Sequence, residues 1–201
     1  MPDREEIVRS LIGAWRLFLD RPDAMRYFNV SVDGFWRSFS AIVLILPAYA
    51  LFAIAERIEI LGEPVVDPAF SNGPFIVNKF LTLALDWVTL PILLAAFARL
   101  LGVNRTYAAF VVARNWCAVL ATAPFGVVAL LSLVGLLGAG PANVISLVIL
   151  VAVIRYNYMI ARRALGADMG LAIGLVVADF AVSLLVIGAV DEIVSYHSAG
   201  L

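Results

Sequence analysis

The feature that most constrains this chain is a set of five apolar runs, near 35–55, 75–98, 107–137, 143–160 and 169–190. Each supplies about the 20 residues, or more, that a helix needs to cross about 30 Å of hydrocarbon. Inside a bilayer the backbone must satisfy its own hydrogen bonds, so such runs are expected to be α-helices. Composition agrees: 63% of the 201 residues are hydrophobic, only 14% are charged, and the mean hydropathy is +1.00. Soluble domains reach roughly 45 to 50% apolar even with glycine counted. The expected fold class is therefore all-α: a polytopic integral membrane protein whose five transmembrane helices follow a cytoplasmic amphipathic interfacial helix. The segments are 1–33 at the cytoplasmic face, 34–190 as the five-helix membrane domain, and 191–201 as a short outside tail.

The same numbers exclude several function classes. A net charge of -1 and a pI near 5.8 leave no basic surplus for phosphates, so no nucleic-acid partner is expected. One cysteine and one histidine supply neither an internal disulfide nor a paired-histidine metal site, and no cofactor is expected. No phosphate-cradling loop and no Gly-x-Ser-x-Gly elbow is present, and His197 alone leaves no histidine-based catalyst for a membrane core. The chain is accordingly read as a non-enzyme. Its partners are the lipid bilayer and either another membrane protein or a second copy of itself.

Orientation follows from Lys and Arg, which stay cytoplasmic during insertion. Arg4, Arg9, Arg16, Arg21, Arg26 and Arg37 precede or open the first span. Arg99, Arg105 and Arg114 flank the second connection, and Arg155, Arg162 and Arg163 the fourth. Only Arg57 and Lys79 fall on the other side. Five crossings, with the N-terminus inside and the C-terminus outside, give this asymmetry; four would misplace one basic cluster. The third run is too long for a single crossing, so its membrane part is expected at 116–136, with 106–115 a helical extension.

Residues 3–20 contain Ile7, Val8, Leu11, Ile12, Trp15, Phe18 and Leu19 at helical spacing, with Arg4, Arg9 and Arg16 off that stripe. Asp3 and Glu6 fit a reciprocal cap, and Pro22 ends the helix. Two readings fit equally. In one the helix lies in the interface, with Trp15 and Phe18 down and Arg9 and Arg16 toward headgroups; in the other it packs on the ends of its own spans. A second short helix over 21–28 is expected, with Ser31 or Asp33 capping the first span.

Ionisable residues within lipid are the candidate functional groups, because placing a charge there costs at least ~2.5 to 3.5 kcal/mol. Asp86 and Asp179 fall near the middle of spans two and five, and Arg114 and Arg155 lie deeper than an ordinary flank. Rising about 1.5 Å per residue, Asp179 reaches a height within an arginine's reach of both Arg114 and Arg155. Asp86 is higher and is expected to meet water or Lys79. These four residues form either a proton or cation relay or a set of structural ion pairs. Two small-residue stripes, Gly170, Gly174 and Ala178 on span five and Ala109, Ala113, Cys117 and Ala121 on span three, predict close packing of these spans or self-association. Cys117 reads as a small buried residue rather than a nucleophile. Pro47, Pro91 and Pro124 invite kinks, and Glu56, Glu59, Glu63 and Asp67 make an acidic outer connection.

Residues 105–185 resemble the Yip1-like family of small five-span membrane proteins. The likeness rests on Tyr107-Ala-Ala-Phe-Val-Val-Ala-Arg-Asn-Trp116, on Pro124 in the same helix, and on Ile154-Arg-Tyr-Asn-Tyr158 followed by Ala161-Arg-Arg-Ala-Leu165. For bacterial relatives the resemblance implies a fold and a membrane address without an assigned activity. Thirteen Arg against one Lys, with abundant Ala, suits a GC-rich bacterial gene and hence an inner membrane.

Overall fold

A computed structural model describes residues 2–62 and 72–198, and every regular element among them is helical. Glu63 and Asp67 lie outside the described residues. Seven helices are numbered here: α1 (Arg4–Phe18), α2 (Val32–Ser38), α3 (Ile42–Gly62), α4 (Asn72–Phe97), α5 (Tyr107–Leu133), α6 (Ala139–Ile160) and α7 (Met169–Ser198). Two single turns of 3-10 helix, Ala24–Tyr27 and Phe39–Ala41, follow α1 and α2, and a π-helical turn, Ala161–Leu165, continues α6. Five helical segments are long and apolar enough to cross a membrane, the first being α2 and α3 taken together as Val32–Gly62.

Local chemistry sets the ends. Asp3 Oδ1 accepts the Glu6 amide at 2.7 Å and Ser31 Oγ accepts the Gly34 amide at 3.1 Å, so each begins its helix with a satisfied amide. Asp168 Oδ1 does the same for Leu171 at 2.7 Å at the start of α7. The third span stops at Leu133, four residues before the expected end at 137. Gly135 adopts φ +74, a left-handed conformation that closes the helix as Ser132 and Leu131 carbonyls accept the following amides. α6 then starts at Ala139, so Pro141 stands in its first turn, where its missing amide costs nothing. The α7 helix runs past 190 to Ser198 and takes His197 into its last turn.

α5 is the hub. α3 packs along it most extensively, α6 lies on another side, and α1 and α2 cover its N-terminal half. α7 packs mainly on α4 and less on α6, while α4 only grazes α5. The closest approach is at Gly126, where an added Cβ would lie 2.6 Å from the Cβ and 2.8 Å from the Cα of Ala48. With lipid outside, apolar area alone does not draw helices together, and such close backbone contact supplies the dispersion energy instead. The core runs from Ala14 and Leu17 of α1 through Val111, Val112, Trp116 and Cys117 of α5 to Tyr156 of α6.

Candidate functional site

Among the described residues, α5, α6 and α7 bring together a mixed-charge cluster. Arg114 Nη2 of α5 donates to Asp179 Oδ1 of α7 at 3.2 Å, and Asn157 Nδ2 of α6 approaches Asp179 Oδ2 at 3.4 Å. Both charged side chains are largely covered, at 14% and 20% exposure. Beside them, between α4, α5, α6 and α7, is a cavity of about 20 Å³ lined by Leu90, Phe110 and Leu175, space for one water molecule. Four helices thus converge on a carboxylate held by one cation and one amide. Arg114 meets Asp179 as expected; Arg155 does not. Its Nη1 donates to the Phe18 carbonyl at 3.1 Å, because Arg155 and Asn157 lie about 200° apart around α6 and only the latter faces the interior. Asp86 meets neither Lys79 nor this cluster. Ser183 Oγ of α7 donates to it at 2.5 Å, while Lys79 Nζ is taken by Glu56 at 2.7 Å.

The α1 helix forms the second candidate surface. Its inward face is Glu6, Ser10, Gly13, Ala14 and Leu17; the small Ser10, Gly13 and Ala14 allow close docking on α5 and α6, with Leu17 fully buried beside them. The Tyr156 hydroxyl donates to the Ala14 carbonyl at 2.6 Å, and Arg163 Nε donates to Asp20 at 2.9 Å. Arg37 Nε stands 2.9 Å from Glu6 Oε2, an ion pair rather than an aligned hydrogen bond. Glu6 therefore does not close the reciprocal cap expected with Asp3; it turns inward to α2. The Arg163 guanidinium, by its hydrogen bond, holds the Asp20 carboxyl below its ordinary range, and Arg16 does the same to Asp23.

Docking this face turns half of the apolar stripe outward. Val8, Ile12, Trp15 and Leu19 are exposed, Trp15 at 54%, while Phe18 stacks on Trp15 and meets Tyr156 edge-on. Val32 and Trp36 of α2 are exposed as well. Of the arginines expected to face headgroups, Arg9 stays exposed and donates to the Tyr27 carbonyl at 3.2 Å. Arg16 is paired with Asp23 at 2.5 Å and lies over the Tyr27 ring. The expectation that α1 packs on its own spans is met on one face, and the other face remains uncovered.

The two small-residue stripes do not meet. Ala113 and Cys117 are fully buried and Ala109 and Ala121 half-buried, but against α3, α6 and α1 rather than α7. Gly170, Gly174 and Ala178 are exposed, and a Cβ at Gly174 would meet nothing within 4 Å. Sequence reasoning also missed the buried pair in which Asn115 Nδ2 donates to Ser38 Oγ at 3.0 Å. Its signal was available as a lone amide beside Trp116 in an apolar run. No group of three or more metal-ligating side chains occurs among the described residues. Comparisons with protein-family models, with curated proteins and with solved structures returned no match.

Proposed function

We propose that this chain is a non-enzymatic, membrane-organising protein of Yip1-like type in a bacterial inner membrane, with its N-terminus cytoplasmic and its C-terminus outside. The observation that carries the reading is α1. It is fastened to α2 and α6 through Glu6, Ala14 and Asp20, and it keeps Val8, Ile12, Trp15 and Leu19 uncovered beside Arg4 and Arg9. An amphipathic helix of this kind lies in the headgroup layer, its apolar side inserted and its arginines near anionic lipid. Because it is rigidly mounted, its insertion wedges one leaflet beside the bundle, or offers the same face to a membrane partner. The orientation rests on the twelve cations that by sequence position fall on the α1 side.

The test is reconstitution into anionic vesicles at rising protein density. The native protein is expected to narrow or tubulate them, whereas Ile12→Asp and Trp15→Asp, both at exposed positions, should insert normally and leave vesicle shape unchanged. Equal remodelling by all three proteins would refute the reading.

A second reading, a small proton- or cation-coupled transporter or channel component, draws on Asp179, Arg114 and Asn157 around the water-sized cavity, with Asp86 as a further intramembrane carboxyl. Its test is proton or cation flux in proteoliposomes. The transporter reading requires flux that Asp179→Asn abolishes; the organising reading expects no flux from either protein.

A further inference from the structure

By sequence position, twelve of the fourteen cationic residues fall in or beside the segments on the α1 side, and the two that do not, Arg57 and Lys79, line the same crevice. It lies between α3 and α4 at the opposite end of the bundle. Those two helices pack far less closely than α3 does on α5 and are linked by side chains: the Tyr49 hydroxyl donates to the Lys79 carbonyl at 3.0 Å, and Lys79 Nζ reaches Glu56 at 2.7 Å. The crevice encloses about 330 Å³, within the range of small-ligand sites, and its walls are Leu46, Ala50, Ala53, Phe75 and Phe80.

The two cations are not equivalent. Lys79 is neutralised by Glu56, but Arg57 Nε donates only to the uncharged Asn72 Oδ1 at 2.7 Å, and among the described residues no carboxylate pairs with it. An arginine on this side also runs against the charge asymmetry that guides insertion. Among the described residues the crevice thus combines a hydrocarbon slot with a guanidinium that no carboxylate pairs with, near the end of the helices. The slot opens sideways, with Ile54, Ile76 and Phe80 exposed along it, so an occupant enters from the hydrocarbon and not from water.

We infer that this crevice binds one anionic phospholipid, an acyl chain lying between α3 and α4 and the headgroup phosphate at Arg57. Guanidinium matches a phosphate with two parallel hydrogen bonds, and apolar side chains on both sides match the chain. The site is independent of α1 and of what α1 does.

The test is photolabelling of the full-length protein in nanodiscs, using phosphatidylglycerol and phosphatidylcholine that carry the same diazirine on the acyl chain. Adducts on 46–54 and 75–80 are expected to favour the anionic probe by about tenfold, the worth of one charge-assisted contact. Arg57→Gln should erase that preference, Arg57→Lys should retain much of it, and Arg99→Gln at the other end should leave it intact. Ala50→Trp, at an exposed wall position, should lower labelling of these segments by both probes. Equal labelling by the two lipids, a preference surviving Arg57→Gln, or undiminished labelling of Ala50→Trp would each overturn the inference. None of these outcomes bears on vesicle remodelling by α1.

Discussion

α5 and α7 both carry small residues at every fourth position, yet Ala113 and Cys117 of α5 are fully buried while Gly170, Gly174 and Ala178 of α7 are exposed. Hydropathy does not explain the difference, since α7 is the more apolar of the two and has the smaller buried share, 11% of its most apolar stretch against 28% for α5. Polar partners alone do not separate them, since Asp179 and Ser183 of α7 are bonded as well; α5 differs in carrying a fully buried amide, Asn115. Asn115 is bonded to Ser38, Arg114 to Asp179, and the Tyr107 hydroxyl donates to the Pro91 carbonyl at 3.0 Å. In lipid an apolar helix gains little from being central, whereas one that buries an amide must have neighbours that satisfy it.

That contrast can be broken at several points. Gly126→Leu should do most damage, because the new side chain meets the Ala48 backbone; a loss of about 3 kcal/mol or more is expected, read as a large fall in thermal unfolding midpoint in detergent. Cys117→Leu overfills the same helix and should cost about 1 to 3 kcal/mol in the same assay. Arg114→Gln and Asp179→Asn each strand the other's charge. Since the pair is partly exposed, each should cost about 1 to 2 kcal/mol, with the double variant recovering part of the loss. Gly174→Leu sharpens the comparison. It should change stability by less than about 0.5 kcal/mol, and a larger fall accompanied by loss of a dimer peak would mean that a second copy covers α7. The smallest effect is at Asp20. Its carboxyl titrates below the ordinary value of 3.8 because of Arg163, so the attachment it gives α1 is complete above that pH and fades as acid takes it through the lower folded value. Hydrogen exchange of α1 should show this acid-side loosening in the native protein and lose it in Asp20→Asn.

The five membrane-length helices were legible because apolar runs of that length have one structural outcome in lipid. The Arg114 and Asp179 pairing was legible too, as a match of heights along two helices. Height says nothing about azimuth, which is why Arg155 was assigned to a carboxylate that Asn157 occupies. Spacing likewise reveals that Gly170 and Gly174 make a flat face without revealing what the face meets. For α1 the periodicity located the helix, but the docked face centres on the small residues Ser10, Gly13 and Ala14 with Leu17, to one side of the middle of the bulky stripe. Glu6 carried a usable signal: it shares the face of Ser10, Ala14 and Leu17, one helical turn apart, where an acid needs a cation such as Arg37.

The fastening of α1 also has a bearing on biogenesis. Ala14 is held by Tyr156 and Asp20 by Arg163, partners that the ribosome makes some 140 residues later. α1 must therefore wait, its docking face unclaimed, until α6 has been made. Between these elements translation order and assembly order run opposite ways, so a product lacking α6 would leave α1 without these two attachments.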